Sequence, residues 1–215
     1  LPFFLSEKPK LESKEVKELI KKLEQKSGDE GDSGTIIGNG GDIASCKDGL
    51  YFTDYFLSKS SHQTGGISYY NYKDSHINFV INELYLLDKS MGQSLLSFKT
   101  SFMKQLRSKA FTKPAVLHDE LPGLFGMLFS INCEVLQAVR RVQSGSRIIY
   151  QLDTNLINQL DDANLSWLIV HEWLWNFFNN SKDIFVMNEN LQFMGLGLLD
   201  SMTKKNILNY LYSQL

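Results

Sequence analysis

Residues 166–178 read SWLIVHEWLWNFF, a run that sets His171 and Glu172 inside an almost wholly apolar stretch. At 3.6 residues per turn, Trp167, His171, Trp175 and Phe178 share one face while Leu168, Glu172 and Trp173 spread over the flank, so hardly any face is polar. A helix of this kind, over about 163–179, belongs at the centre of a core. A carboxylate buried there costs roughly several kcal/mol unless it meets a cation, a hydrogen-bond donor or a metal.

The zincin motif HExxH supplies one answer: two imidazoles one turn apart point at one metal, and the glutamate between them activates the bound water. Here the position four residues after His171 holds Trp175, which cannot ligate zinc. His62, His76 and His118 would complete a site only through non-standard geometry, so no zinc or other cofactor is expected, and His171 is a ligand only if such a site exists. A metal-free answer uses Glu172 as an acid or base, with His171 beside it, its pKa raised by apolar neighbours. A second carboxylate would then come from Glu83, Glu120, Glu134 or Asp153. Trp167, Trp173 and Trp175 would suit a sugar-binding platform in that case, although tryptophans at this helical spacing more often pack a core. The third answer is structural, with His171 and Glu172 satisfied by partners inside the core.

Working outward, Asp153 caps a short helix in TNLINQL, and Asp161-Asp162 opens the long one, as the helix dipole favours. Upstream, LFGMLFSINCEVLQAVRRV and SRIIYQL are β-branched and aromatic, separated by turn residues at 143–145. They predict an antiparallel pair, about 134–142 with 146–152. TIIGNGGDIASC predicts two short strands flanking Gly38-Asn39-Gly40-Gly41-Asp42, as a hairpin or a strand-loop-strand. Its spacing matches neither a Walker loop nor GxGxxG. LYFTDYFLS (50–58), INFVINELYLLD (77–88) and residues 91–109 carry apolar residues at three- and four-residue spacing and predict two or three core helices. Between them lies a polar loop whose Tyr69, Tyr70 and Tyr72 could stack on a sugar or peptide, or cap the core edge.

Leu11, Val16, Leu19, Ile20 and Leu23 form a thin apolar stripe on an amphipathic N-terminal helix, followed by the linker SGDEGDSG. The expected organisation is therefore an arm and linker over 1–34 and a core domain over 35–215. That core is an α+β fold, predominantly helical, with a small antiparallel sheet and a central buried helix carrying His171-Glu172.

The 215 residues, 43% hydrophobic, suffice for one sizeable core. A net charge of −2 gives no basic field for a nucleic-acid backbone. No run is long and apolar enough to span a membrane. The chain begins at Leu1 without a basic region leading into an apolar one, which fits a mature exported chain whose signal peptide is gone. Cys46 and Cys133 lie in no metal-ligand spacing. They read as one long-range disulfide if the protein is exported, or as two buried thiols in a reducing compartment.

The segments GNGGDIASC, CEVLQAVRR and LDTNLINQLDDANLSWLIVHEWLW, within about residues 35–195, resemble a family of uncharacterised exported proteins from predatory bacteria. The shared positions are Gly38, Asn39, Gly40, Gly41, Asp42, Cys46, Cys133, Gln137, His171 and Glu172. The resemblance implies a periplasmic or secreted location and a Cys46–Cys133 disulfide, but no reaction, since the family has no established activity. Other members carry a further histidine in a GHxNS-like segment, where this chain has Asn179-Asn180-Ser181, which weakens a metal site here.

The resulting expectation is a monomeric, exported envelope protein in a non-catalytic interaction or structural role, its partner a cell-wall glycan or another envelope protein. The alternative is a divergent hydrolase, degenerate zincin-like or carboxylate-based, acting on peptidoglycan or peptide bonds.

Overall fold

The computed structural model describes residues 35–39, 41–62, 76–106, 133–144, 147–179 and 181–215. The N-terminal arm and linker, the loop with Tyr69, Tyr70 and Tyr72, and His118 and Glu120 lie outside the described residues. In chain order the elements are β1 (Thr35–Asn39), β2 (Asp42–Cys46), β3 (Gly49–Phe52), α1 (Thr53–His62), α2 (His76–Leu87) and α3 (Lys89–Leu106). There follow β4 (Glu134–Gln137), β5 (Val139–Ser144), β6 (Arg147–Leu152), α4 (Thr154–Ile157), α5 (Asp162–Leu174), α6 (Ser181–Gly195) and α7 (Ser201–Ser213). This is the expected helix-rich α+β architecture, its strands all antiparallel in two three-stranded sheets ordered β1-β5-β6 and β3-β2-β4.

The two sheets follow one another in register. Asn39 stands opposite Arg140 in the first and Asp42 opposite Gln137 in the second, the same offset on either side of Gly41 and Ala138. The Ala138 amide donates to the Gly41 carbonyl at 3.1 Å, while the Ala138 carbonyl accepts from the Asp153 amide at 2.8 Å. At Gly41 the strand pair thus passes from one sheet into the next. It does not reverse the chain: β1 and β2 pair with β5 and β4 and not with each other, so the hairpin form of the expectation is corrected to strand-bend-strand.

The reversal comes one strand later, where β2 and β3 form a hairpin with Cys46 opposite Gly49. This corrects the helical reading of 50–58, whose first residues are strand. Phe52, opposite Ile43 and fully buried, belongs to the sheet before α1 begins at Thr53. Cys46 and Cys133 are joined across an 87-residue separation, S–S 2.05 Å, linking the end of β2 to the chain entering β4.

Helix α5 takes the central position its sequence requires. Every residue from Ser166 to Leu174 is buried, against α1, α2, α3, α6 and β3. Asp161 caps it through the Asn164 amide at 2.8 Å, and Asp153 caps α4 through the amides of Asn155 and Leu156. The helix ends at Leu174, earlier than the expected 179. Asn176 turns its side-chain amide back onto the Trp173 carbonyl at 2.7 Å, and the next residues continue as turns. Asn164 Oδ1 accepts from the Phe52 amide at 2.8 Å, tying the strand-to-helix corner of β3 and α1 to the first turn of α5. Helices α6 and α7, for which the sequence analysis had no assignment, complete the bundle, and Asp200 caps α7.

Strand and helix approach closely at Gly41. A Cβ there would fall 2.2 Å from Leu168 Cδ1 and 2.9 Å from Phe52 Cε2, both on fully buried side chains. Gly41→Ala is therefore expected to cost about 1–3 kcal/mol by overpacking. Chemical denaturation checks this, and a change within a few tenths of a kcal/mol would show that the bend relaxes away from α5.

Candidate functional site

His171 and Glu172 are consecutive on α5 and engage different elements. Glu172 is 0% exposed, and its Oε1 accepts a 2.6 Å hydrogen bond from the Gly41 amide at the bend. The Gly41 carbonyl is already used by Ala138, so helix α5 satisfies the remaining backbone donor of a residue whose other side is in the ladder. His171 Nδ1 lies 2.7 Å from Asp54 Oδ2, contributed by the first turn of α1. Phe52 and Trp175 bracket the imidazole edge-on at 5.3 and 6.1 Å.

The network extends through α6. Asn188 donates to the Trp167 carbonyl at 2.9 Å and to Asp54 Oδ2 at 3.3 Å, Gln192 donates to Asn188 Oδ1, and Ser166 donates to Gln192. From the strands, Arg141 of β5 stacks its guanidinium 4.9 Å from the centre of the Trp175 ring and stands opposite Tyr150 of β6 in the ladder. Among the described residues, four side-chain atoms in this neighbourhood are buried without a hydrogen-bond partner: Asp42 Oδ1, Glu172 Oε2, Arg141 Nε and Trp175 Nε1.

Charge and burial act together here. Burial raises the Asp42 carboxyl from 3.8 to about 7, opposed by His171 and reinforced by Glu172 and Asp54. Burial likewise raises Glu172, with His171, Arg141 and the Gly41 amide pulling the other way. For His171 burial favours the neutral ring, but the charge and hydrogen bond of Asp54, followed by Glu172 and Asp42, outweigh it and hold the imidazole above its ordinary value. Tyr150 is pushed up to about 12, first by burial and then by Glu172. The arrangement is an oriented Asp–His pair adjoining two protonatable carboxyls, chemistry suited to holding and moving a proton.

The structure brings together only part of the residue set singled out in the sequence. His171 and Glu172 are at the centre, and Trp175 is half-buried under Arg141. Trp167 and Trp173 are 0% and 1% exposed, and the indole of Trp173 is bonded to Ser94, so the platform reading of these two is corrected to core packing. Of the second carboxylates considered, Glu83 pairs with Lys204, Asp153 caps α4, and Glu134 is exposed on β4. The carboxylates that couple to Glu172 are Asp42 and Asp54. Asp54 and Arg141 had no assignment from sequence, and the one available signal for Asp54 was a lone acid in the aromatic run LYFTDYF.

His76 lies toward the opposite end of α5, under the influence of Asp161 and Asp162, so it does not join His171. Among the described residues no group of three or more His, Cys, Asp and Glu side chains is placed to hold a metal ion, and no helix is long and apolar enough to cross a membrane. No family model, no curated protein and no solved structure matches the chain.

Asp42, Glu172 and His171 are all raised, so each retains in the folded chain a proton that the unfolded chain would release. Stability from these protons is present at low pH and lost as pH rises, for Asp42 between 3.8 and about 7. His76, lowered by burial, acts with the opposite sign and loses stability as pH falls. Asp42→Asn, which mimics the protonated acid, is expected to match the wild type near pH 4 and to exceed its stability at pH 8 by about 1–3 kcal/mol. Thermal melts across that range read the difference, and a variant less stable than wild type at pH 8 would mean that an ionised Asp42 is favourable.

Proposed function

We propose that the chain acts without catalysis, in a structural or interaction role in the cell envelope, and that the His171–Glu172 cluster is its architectural centre. The observation that carries this reading is the closure around Glu172: a 0% exposed carboxylate bonded to an amide whose residue cannot accept even a methyl group. A substrate has no approach to that oxygen in this conformation. Export is supported by Cys46 and Cys133 at bonding distance, a pairing that persists in oxidising compartments, and by the motif resemblance. With the bond formed, the chain-entropy model assigns roughly 4 to 5 kcal/mol to a loop of this length.

A second reading, a carboxylate-based hydrolase of peptidoglycan or peptide bonds, is favoured by one observation. Asp42 is only half-buried, carries an unpartnered oxygen, has its carboxyl raised to about 7 and stands near the Asp54–His171 pair. Those are the properties of a general acid or base near neutrality.

Incubation with purified peptidoglycan sacculi and with an unfolded polypeptide, followed by mass spectrometry of released fragments, separates the two. No release above a protein-free blank is expected for wild type, Asp42→Asn or Glu172→Gln. Fragments released by wild type and abolished in Asp42→Asn would replace the non-catalytic reading with the hydrolase. Thiol titration of protein isolated from its native cells without reductant is expected to find no free thiol, and two titratable thiols would contradict export into an oxidising compartment.

A further inference from the structure

Cys46 and Cys133 are brought together by strand register. The β2–β4 ladder pairs Asp42 with Gln137, Ile43 with Leu136, Ala44 with Val135 and Ser45 with Glu134, and the next step along it sets Cys46 opposite Cys133. Cys46 also faces Gly49 across the two-residue loop Lys47-Asp48, a closing pair that turns the Cys46 amide and carbonyl toward β3 and leaves neither toward β4. The two cysteines therefore occupy a non-hydrogen-bonded site, where facing Cα atoms stand about 4.5 Å apart. Theirs are 4.1 Å apart. The strands are anchored by other contacts as well: Ile43, Ala44, Phe52 and Val135 are buried, and the Ala138–Gly41 hydrogen bond closes the far end of the ladder. A cross-link between positions that the fold already holds in contact restricts the unfolded chain far more than the folded one.

Both cysteines are only partly buried. With Tyr51, Phe56 and Leu57 they pack on a small cluster formed by Ala44 and Val135, separate from the core that surrounds α5. Disulfides with this exposure are the ones that thiols reach. The sequence has two cysteines, so a thiol that exchanges with this bond comes from outside the chain. We propose that Cys46–Cys133 is a reversible thiol–disulfide exchange site, reduced by an external dithiol while the domain stays folded and re-formed from a register that the strands hold in both states. One thiolate of the dithiol attacks a sulfur of the bond, and the electron pair leaves on the other cysteine, which takes up a proton. The second thiol of the dithiol then displaces the remaining cysteine, so the chain gains two electrons and two protons and the dithiol leaves as a disulfide. Reduction unpins the Ser45–Glu134 end of β4 and leaves α5, with its contact to Gly41, in place. The site goes beyond the functional reading above and does not depend on it.

Graded ratios of reduced to oxidised dithiothreitol, applied to the folded full chain and read by thiol alkylation and intact mass, test the site. Without denaturant the chain is expected to pass between two species, carrying either no alkyl group or two, and to return to the first when oxidised dithiothreitol is restored. Amide NMR spectra of the two forms should differ around Cys46, Cys133 and Glu134 and coincide along Ser166–Leu174. The double variant Cys46→Ser, Cys133→Ser is expected to keep the fold with a lower Tm. A bond that resists the dithiol until denaturant is added would overturn the proposal, because the disulfide would then be a sealed staple. Loss of the α5 amide pattern on reduction, or an unfolded double variant, would overturn it by showing that the register depends on the bond.

Discussion

The hydrogen bond from the Gly41 amide to Glu172 is the constraint on which the arrangement of sheets and helices depends. A strand pair that bends from one sheet into another turns its backbone toward whatever packs on the bend. At Gly41 the carbonyl is held in the ladder by Ala138, and the amide points to α5. An apolar residue at 172 would leave that amide buried and unpaired, at about 1–3 kcal/mol. The absence of a Cβ at Gly41 lets the backbone come close enough for the contact, with Leu168 and Phe52 filling the space on either side. A charged residue in the most buried helix is thus explained by the backbone donor it serves.

Beside this contact, polar groups of α1, α5 and α6 form a hydrogen-bonded network. His171 reaches α1 through Asp54, Asp54 reaches α6 through Asn188, and Asn188 returns to the backbone of α5 at Trp167. Removing one member strands its neighbours without water, so such networks fix a particular packing more than they add to stability. Here they set the rotation of α5 between the strands and the surrounding helices.

Much of the fold was legible in the sequence where local chemistry decided it. The apolar run 166–178 predicted a central helix, Asp153 and Asp161 predicted its caps and those of α4, and turn residues near 144 predicted the β5–β6 pairing. What local pattern could not convey was how distant segments meet. Gly41 reads as part of a turn in isolation, and only a partner strand far along the chain makes it the link between two sheets. LYFTDYFLS mixes helical and strand spacing because it contains the end of one and the start of the other. At the site, Glu172 announced itself as a charge needing a partner, but its partner was a backbone amide, which no side-chain motif encodes. Trp167 and Trp173 carried a platform reading beside the more usual one of core packing, and the depth of α5 placed them inside.

Native-state hydrogen exchange at the Gly41 amide tests the central claim most directly. If Glu172 holds the bend, this amide exchanges only when the whole domain unfolds, with protection equal to the global stability, although it lies between two strands in a glycine-rich segment. Protection typical of an exposed loop, in a protein whose α5 amides are fully protected, would show that the bend opens independently of the helix and would contradict the account.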